Sequence, residues 1–278
     1  MQYKTFQNLS ISRLGMGNMR LPTLPDGKTV DEKKTRALLT YAYEHGVNYF
    51  DTAYSYHGGQ SEPVVSKILR DFPRDTWYLA SKMPGHEINP HFNPKAIFEE
   101  QLRRCQVDYF DFYLLHNVYE RSVETYTDPK IGIVDYLLEQ KAQGRIRHLG
   151  FSSHATTETL RRFLDRHDGI FEFVQIQLNY LDWTLQDAKG KYELLQERGL
   201  PIIVMEPCRG GKLAKLPADD EAALRALRPD ASIASWAFRW LQDLSGVQIV
   251  LSGMTEMPQM VDNVETFSSS APLSAEEQ

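Results

Sequence analysis

Four side chains in the first half of the chain are of types that together can move a proton: Asp51, Tyr56, Lys82 and His116. Asp51 closes the apolar run VNYFD (47–51), and Tyr56 follows five residues later within the glycine-rich stretch FDTAYSYHGGQSE (50–62). An unpaired carboxylate inside a strand is costly. Asp51 therefore either has a cationic partner or faces water where its strand ends. Lys82, closing WYLASK (77–82), is a candidate partner. A lysine beside a phenol lowers the phenol's pKa, because its charge stabilises phenolate. Tyr56 would then exchange a proton with a carbonyl or alcohol oxygen near neutral pH. Asp51 would hold Lys82 in place and charged, and His116, closing DFYLLH (111–116), would orient that oxygen and help carry its developing charge. Singly, each residue has a plainer reading: solvated loop charges for Asp51 and Lys82, a surface aromatic for Tyr56, a hydrogen-bonded rim histidine for His116. Only the joint set makes a mechanism, and it lacks a hydride source.

The elements that must position these residues repeat in pattern. Short β-prone runs occupy 12–17, 47–51, 77–82, 111–116, 147–153, 173–179, 201–206 and 246–253, alternating with helical stretches. Most are continuously apolar, as in parallel strands covered by helices on both faces. Thr29 and Glu32 fit a capping box before a helix whose Ala37, Leu38, Tyr41 and Ala42 share a face and whose stop is Gly46. Asn93-Pro94 caps and begins KAIFEEQLRRC, and Gly144 and Gly199 end two further helices. Helices are also predicted at TLRRFLDRH and SIASWAFRWLQDL, and PLSAEEQ at the tail reads as the start of another. The pattern predicts an α/β fold, a (β/α)8 TIM barrel forming one domain over 1–278, with a short N-terminal β-hairpin. In such a barrel the site lies where strands end. That rim also receives Ser152, Ser153, Gln175, Glu206 and Ser252.

Composition narrows the class. The 278 residues carry 31 basic and 37 acidic side chains, a net charge of −6, with no basic block, so neither nucleic acid nor an anionic membrane is an expected partner. No apolar run approaches a membrane span, and the N-terminus lacks the layout of a secretion signal. Cys105 and Cys208 suggest neither a disulfide framework nor a metal knuckle. A cytoplasmic enzyme is the expectation. HEINPH (86–91) has the wrong spacing for a zincin helix, which Pro90 would also break, so it is read as loop, with His86 and Glu87 able to line a substrate mouth. The long segment 119–132 and Trp183 are candidate walls, with packing the rival role for Trp183. Cys208 beside Arg209 is either an activated thiol or a spectator.

Loops after the seventh and eighth strands of such barrels often bind phosphate. Gly210 and Gly211 in CRGGKL would let backbone amides approach an anion, with Arg209 and Lys212 to pair with it; a simple turn is the alternative. After the eighth strand a helix opens at Pro258, whose N-terminal amides suit a phosphate.

In FDTAYSYHGGQSE, LASK, DFYLLH and GFSS, in that order, the chain resembles the aldo-keto reductase family over nearly its whole length. The resemblance implies an NAD(P)H-dependent reduction of aldehydes or ketones, with Asp51, Tyr56, Lys82 and His116 as the tetrad and Tyr56 as general acid. It implies that Ser152, Ser153 and Gln175 meet the nicotinamide amide and that Gln259 and Asn263 lie near the adenine. Gly17, Pro207, Ser252 and Met254 complete the implied cofactor set. Met205 stands where the family has a stacking aromatic, and Gly253 and Gln259 stand where many members present a lysine and an arginine to the 2′-phosphate. NADPH is the first choice of cofactor and NADH its rival. The wording VMEPCRGGKL and VLSGMTEMPQMVDNVE resembles a bacterial subgroup whose relatives often carry a C-terminal iron–sulfur tail; with two cysteines, no such cluster is expected here, and the C-terminal segment is read as truncated. Two rival functions are a nicotinamide-binding redox-sensing or regulatory subunit with weak turnover, and an unrelated barrel using Lys82 as a Schiff-base nucleophile.

Overall fold

The computed structural model describes residues 1–89 and 91–277; Pro90 and Gln278, on which the broken zincin helix and the unfinished tail turn, lie outside them. Strands β1 (Tyr3–Phe6) and β2 (Leu9–Ser12) form an antiparallel hairpin. Then come β3 (Leu14–Gly17), β4 (Tyr49–Asp51), β5 (Tyr78–Met83), β6 (Phe110–Val118), β7 (Ile146–Ser153), β8 (Val174–Gln177), β9 (Ile202–Met205) and β10 (Val247–Ser252). Among the described residues these eight close a barrel in the order β10-β3-β4-β5-β6-β7-β8-β9, every neighbouring pair parallel. The fold is the expected (β/α)8 barrel with its hairpin.

The apolar runs are continuous because both faces are buried. Tyr49, Ala80, Phe112, Leu114, Ile203 and Ile249 fill the interior. Their alternates Phe50, Leu79, Tyr113, Leu115 and Val204 pack outward in the larger core with the helices. Phe6 and Ile11 of the hairpin join the inner cluster, and the Phe6 ring lies 5.4 Å from Phe112 and 6.1 Å from Phe173. The hairpin therefore plugs the barrel at the end opposite the strand C-termini. Strand parity then fixes the chemistry. Asp51, Lys82 and His116 each stand two residues beyond an inward-facing side chain (Tyr49, Ala80, Leu114), so all three turn inward at the open end.

Helix signals are partly legible in the sequence. Asn93 caps Pro94–Cys105 by accepting from the Ala96 N–H, and Gly46, Gly144 and Gly199 follow helix ends with positive φ. The Thr29–Glu32 capping box does not form. Asp31 caps Glu32–Glu44 through the Lys34 N–H, because Thr29 is held in a turn in which its N–H and hydroxyl both donate to Asp26. The buried stripe of that helix is Thr35, Leu38, Leu39 and Ala42, while Ala37 is exposed. Helices Ser61–Leu69 and Ala218–Leu227 are additions to the predicted set. Residues 271–274 are irregular and 275–277 a turn instead of a helix start, with Glu277 accepting from Arg228 at 2.5 and 2.6 Å.

Gly150 in β7 has no room for a side chain: a Cβ would stand 2.6 Å from both the Phe173 ring and the Phe173 carbonyl oxygen. Since backbone cannot step aside as a flexible side chain can, Gly150→Ala is expected to cost about 1–3 kcal/mol of stability. Urea unfolding with an unshifted midpoint would refute this.

Candidate active site

The strand C-termini open on a cavity of about 930 Å³. At its base Lys82 Nζ donates to Asp51 Oδ1 at 2.6 Å and to the Thr52 carbonyl at 2.7 Å, and lies 3.4 Å from the Tyr56 hydroxyl. The lysine and aspartate side chains are 0% and 4% exposed, so the ion pair is sealed from solvent. Tyr56 opens a 3₁₀ turn (Tyr56–Gly59) in which His57 and Gly58 take positive φ, and His57 Nε2 accepts from the Leu21 N–H at 2.9 Å, tying this turn to the loop after β3. The Tyr56 and His116 rings meet edge-on at 5.7 Å, and His86 lies edge-on to His116 at 4.5 Å. The four residues of the sequence-derived set are thus together. The alternative of a solvated Asp51 is excluded.

The supports run below the cavity floor. Asn18 Nδ2 donates to the Asp51 carbonyl, and Gln101 Nε2 to the Lys82 carbonyl. Gln101 and Ser81 also donate to Glu62 Oε1, at 2.6 and 2.7 Å, in a fully buried network. Burial raises the Glu62 carboxyl's pKa against those hydrogen bonds and Arg104. Above, Tyr126 donates to the carbonyls of both Met83 and His116, bracing β5 against β6.

Electrostatics alters one expectation. Burial raises the pKa of the Tyr56 hydroxyl, and the pull of Lys82 in the other direction does not overcome it. The phenol thus holds its proton through neutral pH, whereas a neighbouring lysine by itself would make it more acidic. Burial also works against the Lys82 ammonium, yet Asp51 and Tyr56 together hold its pKa above the ordinary lysine value. Burial pushes His116 well below the ordinary histidine value, and Lys82, His86 and His154 push the same way. His116 is a neutral imidazole, fit to donate or accept a hydrogen bond and not to act as a cationic acid.

Of the expected ligand-binding residues, Gly17, Ser152, Gln175, Met205, Pro207, Gly210, Gly211, Ser252, Gly253, Met254, Gln259 and Asn263 line the cavity. Ser153 does not: its hydroxyl donates to the Val118 carbonyl and accepts from the Ala155 N–H. Arg209 is drawn away by Asp182, 3.1 Å from its Nε, and Lys212 is exposed outside the lining. Gln259 spends its carbonyl on the N–H groups of Thr255 and Glu256, completing a capping box at Met257–Ser268, and Asn263 donates to Ser252 Oγ. Trp183 packs on Tyr192 and Trp240 and is no wall. Burial pushes the Cys208 thiol up to about 12, the opposite of an activated thiol.

Asn117 and Arg20 are among the lining residues that lie outside the sequence-derived set. Asn117 directly follows His116, holds φ at +59°, and donates its N–H to Ser152 Oγ at 2.8 Å. Arg20, beyond β3, lies 3.9 Å from Glu206 and packs beside Gly210 and Gly253. The signal for both is the rim rule, applied one residue past His116 and to the loop after β3. The Oδ1 of Asn117 and the Oε1 of Gln175 are buried without a hydrogen-bond partner, and both residues line the cavity. That is a fit for an amide donor group. The paired glycines at 210–211 suit phosphate oxygens beside it, whereas the N-terminus of Met257–Ser268 is already closed by its own capping box.

The model of the Aldo/keto reductase family matches residues 13–278, and the chain belongs to that family. It is similar to the NADH-specific methylglyoxal reductase of Escherichia coli K12, 24% identical across 92% of this chain and 90% of the relative. Among solved structures it resembles the holo form of aldo-keto reductase AKR11C1 from Bacillus halodurans, with a TM-score of 0.79 and 28% identity over 100% of this chain and 94% of the other. An aldo-keto reductase from Klebsiella pneumoniae in complex with NADPH shares the fold, with a TM-score of 0.77 and 22% identity over 100% and 93% of the two chains. Among the described residues no helix is long and apolar enough to cross a membrane.

Lys82→Met would leave the Asp51 carboxylate buried without its counter-ion. The expected cost is about 3–5 kcal/mol in denaturant unfolding at neutral pH. Adding Asp51→Asn should recover a good part of it, and the single variant's deficit should shrink as the pH falls and Asp51 takes up a proton. A double variant as unstable as the single one would show that the pair is not what holds this base together.

Proposed function

We propose that this chain is an NAD(P)H-dependent carbonyl reductase in which Tyr56 is the general acid. The observation that carries the reading is Lys82, bridging the Asp51 carboxylate and the Tyr56 hydroxyl at the sealed base of the cavity that His116 lines. A reduced nicotinamide supplies the hydride when bound. Asn117, Ser152 and Gln175 would hold its carboxamide, and Arg20 with Gly210 and Gly211 would hold its phosphates. The protein's own work is proton transfer. A substrate carbonyl oxygen sits between the Tyr56 hydroxyl and the neutral His116 imidazole; His116 fixes its direction, and Tyr56 gives up its proton as charge develops on that oxygen. Lys82 stabilises the phenolate left behind, and Asp51 keeps Lys82 charged and aimed. Turnover follows from this arrangement, which favours an enzyme over a redox-sensing or regulatory subunit. The same ion pair keeps Lys82 protonated and argues against a Schiff-base nucleophile.

NADPH is the cofactor proposed first, with NADH as its rival. At the adenine end Gly253 and Gln259 bring no cation, and Asp262 lines the same region. The 2′-phosphate therefore gains little. In a fluorescence titration both reduced cofactors are expected to bind, within about tenfold of each other, the worth of roughly one hydrogen bond. Exclusive binding of NADH would remove NADPH from the reading.

Tyr56→Phe should lower the rate of aldehyde reduction by at least about a hundredfold with cofactor affinity retained. Because burial raises the pKa of Tyr56, wild-type reduction should hold level through neutral pH and decline only as the pH climbs past the ordinary tyrosine value. His116, neutral from well below pH 6.5, should add no break there. Near-wild-type turnover by the variant, or a reduction rate that climbs with alkalinity, would end the assignment.

A further inference from the structure

The cavity wall divides by chemistry. The residues that line it from β4 to β7 and their following loops are all polar among the described residues, including Ser55, His57, His86, Glu87, Asn117 and His154. The aliphatic and aromatic lining, Met205, Pro207, Phe238, Leu251 and Met254 with Met19 and Leu21, comes from β9, β10, the loop after β3 and their neighbouring elements. Tyr56 and His116 belong to the polar arc, so whatever presents a carbonyl to them lies against hydrogen-bonding groups.

That arc is built. Gly85 cannot carry a side chain, since a Cβ would meet the Tyr126 ring at 2.5 Å, and Tyr126 is braced by the Met83 and His116 carbonyls. His86 is thereby held edge-on to His116, with its Nε2 3.2 Å from Glu87 Oε1. Burial lowers the pKa values of both His86 and His154, so each is a neutral donor–acceptor at neutral pH. Asp51 is matched by Lys82, and Glu87 lies beside a neutral imidazole, so the carboxylate that faces this arc without a basic partner is Glu87.

We propose that the preferred substrates are small, uncharged, hydroxyl-bearing aldehydes or ketones, whose hydroxyls are received by His86, Glu87 and His154. Apolar carbonyl compounds would strip water from these groups without replacing its hydrogen bonds, and carboxylated ones would meet Glu87. A site that hydrogen-bonds a substrate hydroxyl discriminates more strongly than one that merely fits a chain. The proposal rests on the carbonyl-reductase reading and goes beyond it in naming the substrate class.

The test compares kcat/KM of the full chain with a saturating reduced nicotinamide for glyceraldehyde, butanal and glyoxylate. Glyceraldehyde is expected to lead each of the others by at least about tenfold, the value of one net hydrogen bond or more. His86→Leu should erase that lead chiefly through KM, lowering glyceraldehyde and raising butanal, while His86→Asn should keep much of it. Butanal or glyoxylate equal to glyceraldehyde in the wild-type protein would overturn the substrate class and leave the reductase reading standing. An unchanged ranking in His86→Leu, with the variant folded by circular dichroism, would overturn the role of the arc. Turnover of none of the three by a protein that binds the nicotinamide would remove the reductase reading and this proposal together.

Discussion

A charge pair shut away from water sets the terms for everything else in this barrel. Lys82 and Asp51 are each expensive to bury, and only their 2.6 Å contact, with the Thr52 carbonyl as a further acceptor, makes their enclosure tolerable. Such a pair favours a fixed arrangement more than it favours stability. The strand register brings the two together. Asp51 lies beside Ala80, while Lys82 stands two residues further along β5 and reaches across to Asp51 and Thr52 at the end of β4. The stagger that closes a barrel thus gives a long side chain the offset it needs to meet a short one. The phenol of Tyr56 is the third party, held over an ammonium that cannot swing elsewhere.

Strand parity is legible in the sequence, and the choice of partner by each side chain is not. Apolar runs with a polar last residue located Asp51, Lys82 and His116, because inward parity and a closed barrel leave those residues one place to go. Ser153 is one residue beyond Ser152 and faces the other way, so the motif GFSS holds two candidates where the cavity takes one. Arg209 and Lys212 look like anion partners from composition, yet Asp182, three residues after Asn179 and buried with it, claims Arg209 first. The capping box at Thr29 fails for a similar reason, a nearer acid having already taken both of its donors. Competition of this kind has no periodicity and cannot be read from spacing.

Burial explains the second departure. From types alone, lysine beside tyrosine means a more acidic phenol; inside a closed wall, loss of water outweighs that attraction. The two effects are compatible in function. A phenol that keeps its proton until a neighbouring oxygen asks for it, above a cation that steadies what remains, is a better donor at neutral pH than one already half ionised. The same desolvation raises the pKa of the Cys208 thiol and holds His116 neutral, so a single property of the cavity shifts all three groups.

Tyr126 ties these themes to the outer loops. Its one hydroxyl grips the main chain of two adjacent staves, at Met83 and His116, while its ring fills the space that Gly85 leaves open. It comes from Val123–Thr127, a short helix in the long rim segment that a protein engineer would exchange first to retune selectivity. Here that segment is also the scaffold that holds the main chain at His116. Grafting a foreign loop at this place would therefore loosen the corner at Gly85 and the strand end at His116 at once, whereas a change confined to the His86 side chain leaves both braces in place.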